Sequence, residues 1–183
     1  MNLDYPIREL GPIFTRLKVK NSQHFTQETW RQNFYQTHSK TQCIFLRHWK
    51  DRDQKSMEFE DYPLLPVYRE SLKNVLIELD RYYNFVDYSA IITNLKAGAS
   101  IPLHKDGGEI FEATHRIHIP IVTNPDVWFH CGELCLNMLA YHAYEIGNTN
   151  HVHGVTNSSN HDRYHLIIDL LSETIAGDTE PPC

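Results

Sequence analysis

The chain has 183 residues, a formal net charge of −6 at pH 7, and 41% hydrophobic residues. This length is typical of one domain, and the composition excludes a disordered tail or a coiled coil. The acidic balance, without clusters of Lys and Arg, argues against nucleic acid as the main partner, and no apolar stretch approaches the roughly 20 residues of a membrane span. The N-terminus lacks the pattern of a secretory signal, so we expect a cytoplasmic protein. We expect its cysteines to be reduced and buried: Cys43, Cys131, Cys135 and Cys183.

The sequence pattern over residues 1–87 predicts short strands and a few helices that buttress a barrel. Thr26 can cap a first helix, in which Trp30 and Phe34 would share one face. A second helix is predicted near Pro66, because apolar residues follow the helical period from there to Tyr83. The other segments are extended pieces over 1–25, a strand over Gln42–Trp49 and a charged, turn-like stretch over Lys50–Asp61.

From Tyr88 onward the chain changes to short apolar or alternating runs separated by Gly, Pro, Asn and Asp. The predicted strands are Tyr88–Leu95, Ser100–His104, Arg116–Val122, Val127–His130, Glu133–Leu139, Tyr144–Ile146, Val152–Val155 and Arg163–Leu171. Many short strands at this spacing indicate a closed or two-sheet, mainly β architecture. We therefore expect a single domain over 1–183, with its core over 88–172 and a loose polar tail over 173–183.

The segment His104-Lys105-Asp106 carries the first candidate metal ligands. On a strand, residues two apart point to the same side, so the imidazole and the carboxylate would converge and Lys105 would turn away. His153 on a later strand is the favoured third ligand, although His151 shares its face and either could ligate. Two histidines and one carboxylate form the ligand set of non-haem Fe(II) oxygenases, which leaves open positions on the metal.

Arg163 follows His153 by ten residues and opens an apolar strand. Burying a charge without compensation is costly, so this guanidinium needs an anionic partner, and its planar fork suits a carboxylate. A ligand could supply that carboxylate. The alternative is a structural salt bridge with Asp169 or Glu173.

Arg116 and His118 form a second pair with two-residue spacing that could point inward. His118 could equally be a core histidine with its hydrogen bonds satisfied. Together with Arg163 and a metal, the pair would line a cavity that fits a small dicarboxylate.

These motifs resemble the aspartyl/asparaginyl β-hydroxylase-like family of 2-oxoglutarate dioxygenases, which includes the cis-proline hydroxylases. The resemblance covers Ala90–Ser172, in the segments AIITNLKAGASIPLHKD, HRIHIPIV, GELCLNM and HVHGVTNSSNHDRYHLIIDL. It implies a double-stranded β-helix, the jelly-roll fold of cupins. It also implies an enzyme that hydroxylates an amino acid with O2 and releases succinate and CO2. The amino acid would be free, such as proline, or an Asp- or Asn-type side chain in a peptide.

The resemblance also assigns site residues. It implies that 2-oxoglutarate is held at its distal carboxylate by Arg163 with help from Thr93, and that Arg116 and His118 lie near its other end. Some relatives have glycine where Asp106 stands, whereas here the carboxylate is present. Ascorbate is implied as an optional stimulant. Fe(II) would be held by three ligands: His104, Asp106 and His153.

Several residues keep more than one interpretation. Arg47 on an early strand could meet a substrate carboxylate, and His165 could line the pocket or support Arg163. The group of His130, Cys131 and Cys135 allows a soft-metal site, but a turn between two strands is the simpler interpretation.

Two other functions remain open at the level of sequence. A jelly roll can be a binding module for a metal or a small ligand without any enzymatic activity, because fold does not fix function. A zinc hydrolase could use the same three ligands. Oligomeric state is not predicted.

Overall fold

The structure, a computed structural model, describes residues 3–26, 36–50 and 58–172, and consists mainly of β-strands. Its strands β1 to β11 are, in chain order, Ile7–Pro12, Thr41–Trp49, Phe59–Asp61, Phe85–Leu95, Ser100–His104, Thr114–Val122, Val127–Cys131, Leu134–Leu136, His142–Ile146, His153–Asn157 and Arg163–Ser172. The α-helices are α1, Leu65–Leu79, and α2, Glu109–Glu112, and short 3-10 helices cover Ser22–Thr26 and Gln36–His38.

The strands form two antiparallel sheets. The large sheet has the order β1-β9-β6-β11-β4-β2-β3, and the small sheet has the order β5-β10-β7-β8. The chain alternates between the two sheets along its C-terminal half, as it does in a jelly roll. Strand β11 lies at the centre of the large sheet, paired with β4 on one side and β6 on the other.

Helix α1 covers one face of the large sheet. Pro66 in its first turn has no N–H to satisfy, and Tyr68, Leu72, Val75 and Leu79 return at the helical period to form its buried face. These side chains pack on the apolar residues of the central strands, among them Ile117, Ile119, Leu166, Ile168 and Leu170. This layer is the main hydrophobic core.

The opposite face of the large sheet points toward the small sheet. Because side chains alternate along a strand, β11 directs Arg163, His165, Ile167 and Asp169 away from α1. Apolar residues of the small sheet, including Val127, Phe129 and Val155, pack in a second cluster with Leu95 and Ile146. The polar side chains of β11 therefore lie in the interior between two sheets, which is where a functional site would be built.

The mainly β, two-sheet architecture confirms the sequence prediction, and the helix near Pro66 is present. That helix ends earlier than predicted, since Tyr82 and Tyr83 lie beyond Leu79 in a turn. The other predicted helix, with Trp30 and Phe34, falls on residues 27–35, outside the described part of the chain. The prediction of a few N-terminal helices is therefore matched by one α-helix, α1, among the described residues before Tyr88.

The stretch Lys50–Asp61 also differs from the prediction. The end of the turn-like stretch is strand β3, which pairs with β2 through Trp49 and Phe59, while residues 51–57 lie outside the described ranges. Strands β1, β2 and β3 belong to the large sheet, so the first 87 residues complete that sheet as well as covering it. Within the described ranges, neither α-helix has the length and apolar character needed to cross a lipid bilayer.

Candidate active site

A pocket opens between the two sheets and brings together seven of the eight predicted site residues. It is also lined by Thr41 of β2 and Ile167 of β11, so the inner face of the large sheet contributes both polar and apolar residues to the wall. The predicted residues on its lining are Thr93, His104, Asp106, Arg116, His118, His153 and Arg163.

His104 and His153 face each other because β5 and β10 pair with these two residues directly opposite. Their ring centroids are 4.3 Å apart. The strands approach closely at Gly154, where an added Cβ atom would lie 2.8 Å from the backbone oxygen of Ile101. Glycine is therefore required at this position for the two imidazoles to meet.

Asp106 completes the group from a loop. The sequence prediction placed it on the same strand as His104, and this is wrong, because β5 ends at His104. Asn148 fixes the loop instead: its carbonyl oxygen accepts the backbone N–H of Asp106, and its side-chain amide donates to Asp106 Oδ2, both at 3.0 Å. The carboxylate oxygens of Asp106 then lie 3.8 Å from His104 Nε2 and 3.7 Å from His153 Nε2.

These three side chains fit a metal ion. Their ligand atoms all lie within 4.8 Å of one another, and no other such group of three or more occurs among the described residues. The Nδ1 atom of His104 is 2.8 Å from the carbonyl oxygen of Pro102, and the Nδ1 atom of His153 is 3.4 Å from that of His151. Since a carbonyl only accepts, each Nδ1 carries the proton, and each Nε2 presents its lone pair to the centre.

The electrostatics of Asp106 and His153 favour their metal-binding protonation states. Burial alone would raise the pKa of Asp106, but the charge of Arg116 and its neighbours hold that pKa well below the ordinary value. Burial lowers the pKa of His153 to about 4. At neutral pH the site therefore presents the Asp106 carboxylate and the neutral imidazole of His153, as metal binding requires.

Arg116 connects the metal-binding group to the large sheet. Its guanidinium donates to the Asp106 carboxylate and makes two further hydrogen bonds to Asp169, at 2.6 and 3.0 Å. Ser89 also donates to Asp169. The charge of Arg116 is thus compensated by two carboxylates. The sequence alternative in which Asp169 pairs with Arg163 is wrong, and the other partner named there, Glu173, lies outside the described residues.

Arg163 is the exceptional cation of the pocket. Its side chain is buried, with 2% of the residue exposed, and no carboxylate of the described ranges lies within ion-pair distance. Its one hydrogen-bond partner there is His165 Nδ1, and its Nε atom has none. Burial lowers the pKa of Arg163 to about 9. The protein therefore holds a buried positive charge that is still present at neutral pH.

Two neighbours extend this polar layer. Thr93 lies opposite His165 in the pairing of β4 with β11, and its hydroxyl is 3.5 Å from the carbonyl oxygen of His165. His118 is buried, and the described residues give its Nδ1 no hydrogen-bond partner. Burial, with the charge of Arg163, lowers the pKa of His118 well below the ordinary value. The orphaned polar atoms on Arg163 and His118 fit an oxygen-rich ligand between them.

The structure does not bring Arg47 to the pocket. Its guanidinium bonds to Asp61 at 2.6 Å and to Asp87 at 3.0 Å on the far part of β2, and it is not on the pocket lining. His151 also lies elsewhere, packed against Gly132 and Gly147. Of the two candidate histidines, His153 is therefore the one at the centre.

The cysteines form no soft-metal site. Cys131 donates to the carbonyl oxygen of Pro6, while Cys135 lies 3.9 Å from His130 on the other side of the strand pair. Gly132, with φ of 57°, turns the chain between β7 and β8, as the simpler interpretation predicted. Cys43 and Cys131 are buried free thiols, but Cys135 is exposed, so its predicted burial is wrong, and Cys183 lies outside the described residues.

Two contributors were missed by the sequence prediction. Asn148 stands in a segment that shows only a turn signal, Gly147-Asn148, and its role depends on a contact 42 residues away. Asp169 was considered only as a partner of Arg163. The alternation of β11 places Arg163 and Asp169 on one face of the strand, and this was the available signal that Asp169 also points into the interior.

Comparison with solved structures gives matches at low sequence identity. An oxidoreductase of the 2OG-Fe(II) oxygenase family from Burkholderia pseudomallei matches with a TM-score of 0.54 and 14% identity, over 73% of this chain and 69% of the other. A cupin domain from Bordetella pertussis Tohama I matches with a TM-score of 0.37 and 14% identity, over 48% and 88%. No sequence among the curated proteins matches this chain.

A sequence model of one protein family matches residues 17–173, which is most of the chain. The family is described as aspartyl/asparaginyl beta-hydroxylase. The matched range contains the three residues of the metal-binding group and Arg163. The chain belongs to the aspartyl/asparaginyl β-hydroxylase family.

Proposed function

We propose that the protein is an Fe(II)- and 2-oxoglutarate-dependent dioxygenase that hydroxylates an amino acid. One observation carries the proposal: a buried, charged Arg163, which has no carboxylate partner among the described residues, lines the same pocket as the His104, Asp106 and His153 group. A binding module or a zinc hydrolase has no need of that cation. A co-substrate with a carboxylate at one end and metal-chelating oxygens at the other satisfies both features.

The residues have separate tasks in this proposal. His104, Asp106 and His153 hold Fe(II), which when bound supplies the oxidative chemistry with O2 and 2-oxoglutarate. Arg163 binds the distal carboxylate of 2-oxoglutarate, and Thr93 and His118 contact the co-substrate from the pocket wall. Arg116 has its charge compensated already, so we assign it to holding Asp106, and through Asp106 the metal, in place.

The primary substrate is proposed to be an amino acid, free or as an Asp- or Asn-type side chain of a peptide. The metal-binding group and Arg163 line one pocket, so a co-substrate held by both would lie beside the metal, where the second molecule must also reach. Family membership supports hydroxylation of an amino-acid side chain as the reaction. Water is kept from the reacting centre by the two sheets, whose apolar residues Phe129 and Ile167 lie beside the polar layer.

A succinate-release screen tests the proposal. Protein loaded with Fe(II) is given 2-oxoglutarate and each free amino acid in turn, then short peptides that contain Asp or Asn. We expect succinate and a hydroxylated product in at least one reaction, and loss of both in the Asp106→Ala variant. Metal content and 2-oxoglutarate binding that are unchanged in Asp106→Ala would favour the binding module and overturn the proposal.

A further inference from the structure

His165 occupies a central place in the large sheet behind the pocket. It lies on β11, two residues after Arg163, and on the same face of the strand. Its backbone stands between Thr93 of β4 and Pro120 of β6, and only 1% of the residue is exposed. Fully buried positions are usually occupied by apolar residues, so a histidine here indicates that its ring makes a specific hydrogen bond.

The contact between His165 and Arg163 fixes the state of the imidazole. Arg163 Nη2 lies 2.6 Å from His165 Nδ1, and a guanidinium can only donate, so Nδ1 accepts. His165 is therefore neutral and carries its proton on Nε2. Burial, together with the charge of Arg163, lowers the pKa of His165 well below the ordinary value, which keeps the ring neutral at physiological pH.

Among the described residues, His165 is the single hydrogen-bond partner of the Arg163 guanidinium. Arg163 Nε has no partner within the described ranges, and the residue lines the pocket. A long side chain with one anchor has several accessible rotamers, and a ligand that needs one of them must bear the cost of ordering it. A neutral acceptor can order the side chain without compensating its charge, which a carboxylate in the same position would do.

We propose that His165 is a positioning residue for Arg163: by accepting one hydrogen bond from Nη2, it orients the other guanidinium donors toward the carboxylate of the co-substrate. The inference rests on the proposed function, because it concerns the same anion-binding end of the pocket. It assigns to a buried imidazole the task of holding a cation available for 2-oxoglutarate.

Two substitutions separate this task from packing. In His165→Phe the ring volume is kept and the acceptor is lost. In His165→Asn the side-chain oxygen can take the position of Nδ1 and accept from Arg163. His161→Phe, in the exposed loop before β11, serves as a matched control because its ring makes no hydrogen bond to the pocket.

The measurements are the affinity for 2-oxoglutarate by anaerobic calorimetry on metal-loaded protein, the KM and kcat for 2-oxoglutarate, and the affinity for Mn(II) alone. We expect His165→Phe to weaken 2-oxoglutarate binding by roughly tenfold to a hundredfold and to raise the KM for 2-oxoglutarate accordingly. The kcat at saturation and the Mn(II) affinity should stay within about twofold of the wild-type values. His165→Asn should recover most of the lost affinity, and His161→Phe should behave as the wild type.

Three results would overturn the inference alone: wild-type affinity in His165→Phe, equal losses in the Phe and Asn variants, or a parallel loss of Mn(II) affinity. If His165→Phe fails to fold, His165→Leu replaces it as the variant without an acceptor. His165→Leu must then bind 2-oxoglutarate more weakly than His165→Asn. Wild-type protein that binds Mn(II) but not 2-oxoglutarate would overturn the proposed function itself.

Discussion

Asn148 holds Asp106 twice. Its carbonyl oxygen accepts the backbone N–H of Asp106, and its side-chain amide donates to the Asp106 carboxylate, each at 3.0 Å. The two residues come from different loops, one after β5 and one after β9. This pairing, rather than a strand, brings the carboxylate to His104 and His153, so the geometry of the metal-binding group depends on Asn148.

Replacing Asn148 should therefore weaken metal binding. We expect Asn148→Ala to lower the affinity for Fe(II) or Mn(II) by roughly 10- to 100-fold, as is usual when a partner of a metal ligand is removed. Asn150→Ala is the control, since Asn150 is in the same loop but donates to the carbonyl oxygen of Leu3. Metal titration checks the prediction, and equal affinities in both variants would contradict it.

Asp169 should contribute mainly to folding stability. Its buried carboxylate compensates the buried Arg116, so Asp169→Asn leaves a charge that Asp106 alone must balance. We expect the free energy of unfolding to fall by about 3–5 kcal/mol, measured by urea denaturation of the metal-free protein. Asp61→Asn removes a half-exposed partner of Arg47 and should cost about 1 kcal/mol or less. Similar losses in the two variants would be the contrary outcome.

Removal of the buried charge of Arg163, for which the described part of the chain supplies no carboxylate, should stabilise the protein when no ligand is present. The folded-state pKa of Arg163, about 9, lies below its ordinary value of 12.5, so the unfolded chain holds the proton more tightly and the charged side chain destabilises the folded state at pH 7. Arg163→Met should raise the free energy of unfolding by roughly 1–2 kcal/mol, because the charge costs more than the lost hydrogen bond to His165.

The matched control for this variant is Arg47→Met, in which a compensated arginine is removed and stability should not rise. Urea denaturation with and without 2-oxoglutarate provides the measurement. The ligand should stabilise the wild type but not Arg163→Met. A large loss of stability in Arg163→Met would mean that the cation has a structural partner.

The pH dependence of 2-oxoglutarate binding should report the ionisation of Arg163. Below a pKa of about 9 the guanidinium is charged, so the affinity should be constant through neutral pH. Above it, binding must restore the proton, and the affinity should fall by up to about tenfold per pH unit. Anaerobic calorimetry with Mn(II)-loaded protein can follow this fall, and an affinity that is unchanged well above pH 9 would refute the assignment.

The sequence predicted the local features of this site and missed its long-range pairings. Two-residue spacing indicated that Arg116 and His118 could point inward, and both line the pocket, because alternation is a property of each strand alone. The partner of Arg116 depends on the register of β6 against β11, in which Arg116 lies opposite Asp169. No local pattern contains that register. Asp169, six residues after Arg163 on a strand, is about 20 Å from it along the chain, too far for an ion pair.

The convergence of His104 and Asp106 was predicted for a reason that the structure corrects. Two-residue spacing on a strand would have directed both side chains to one side, but β5 ends at His104 and the contact with Asn148 orients Asp106. Arg47 was expected near a substrate because it is a cation on an early strand. Its two carboxylate partners come from β3 and β4, and the sequence had no strand where β3 lies.

Anaerobic calorimetry of 2-oxoglutarate against Mn(II)-loaded protein is the most direct test of the whole account. We predict stoichiometric binding by the wild type, affinity lower by roughly 30-fold or more in Arg163→Met, and unchanged Mn(II) affinity in that variant. Absence of binding by the wild type, or equal binding by both proteins, would contradict the claim that the metal-binding group and Arg163 hold one co-substrate between them.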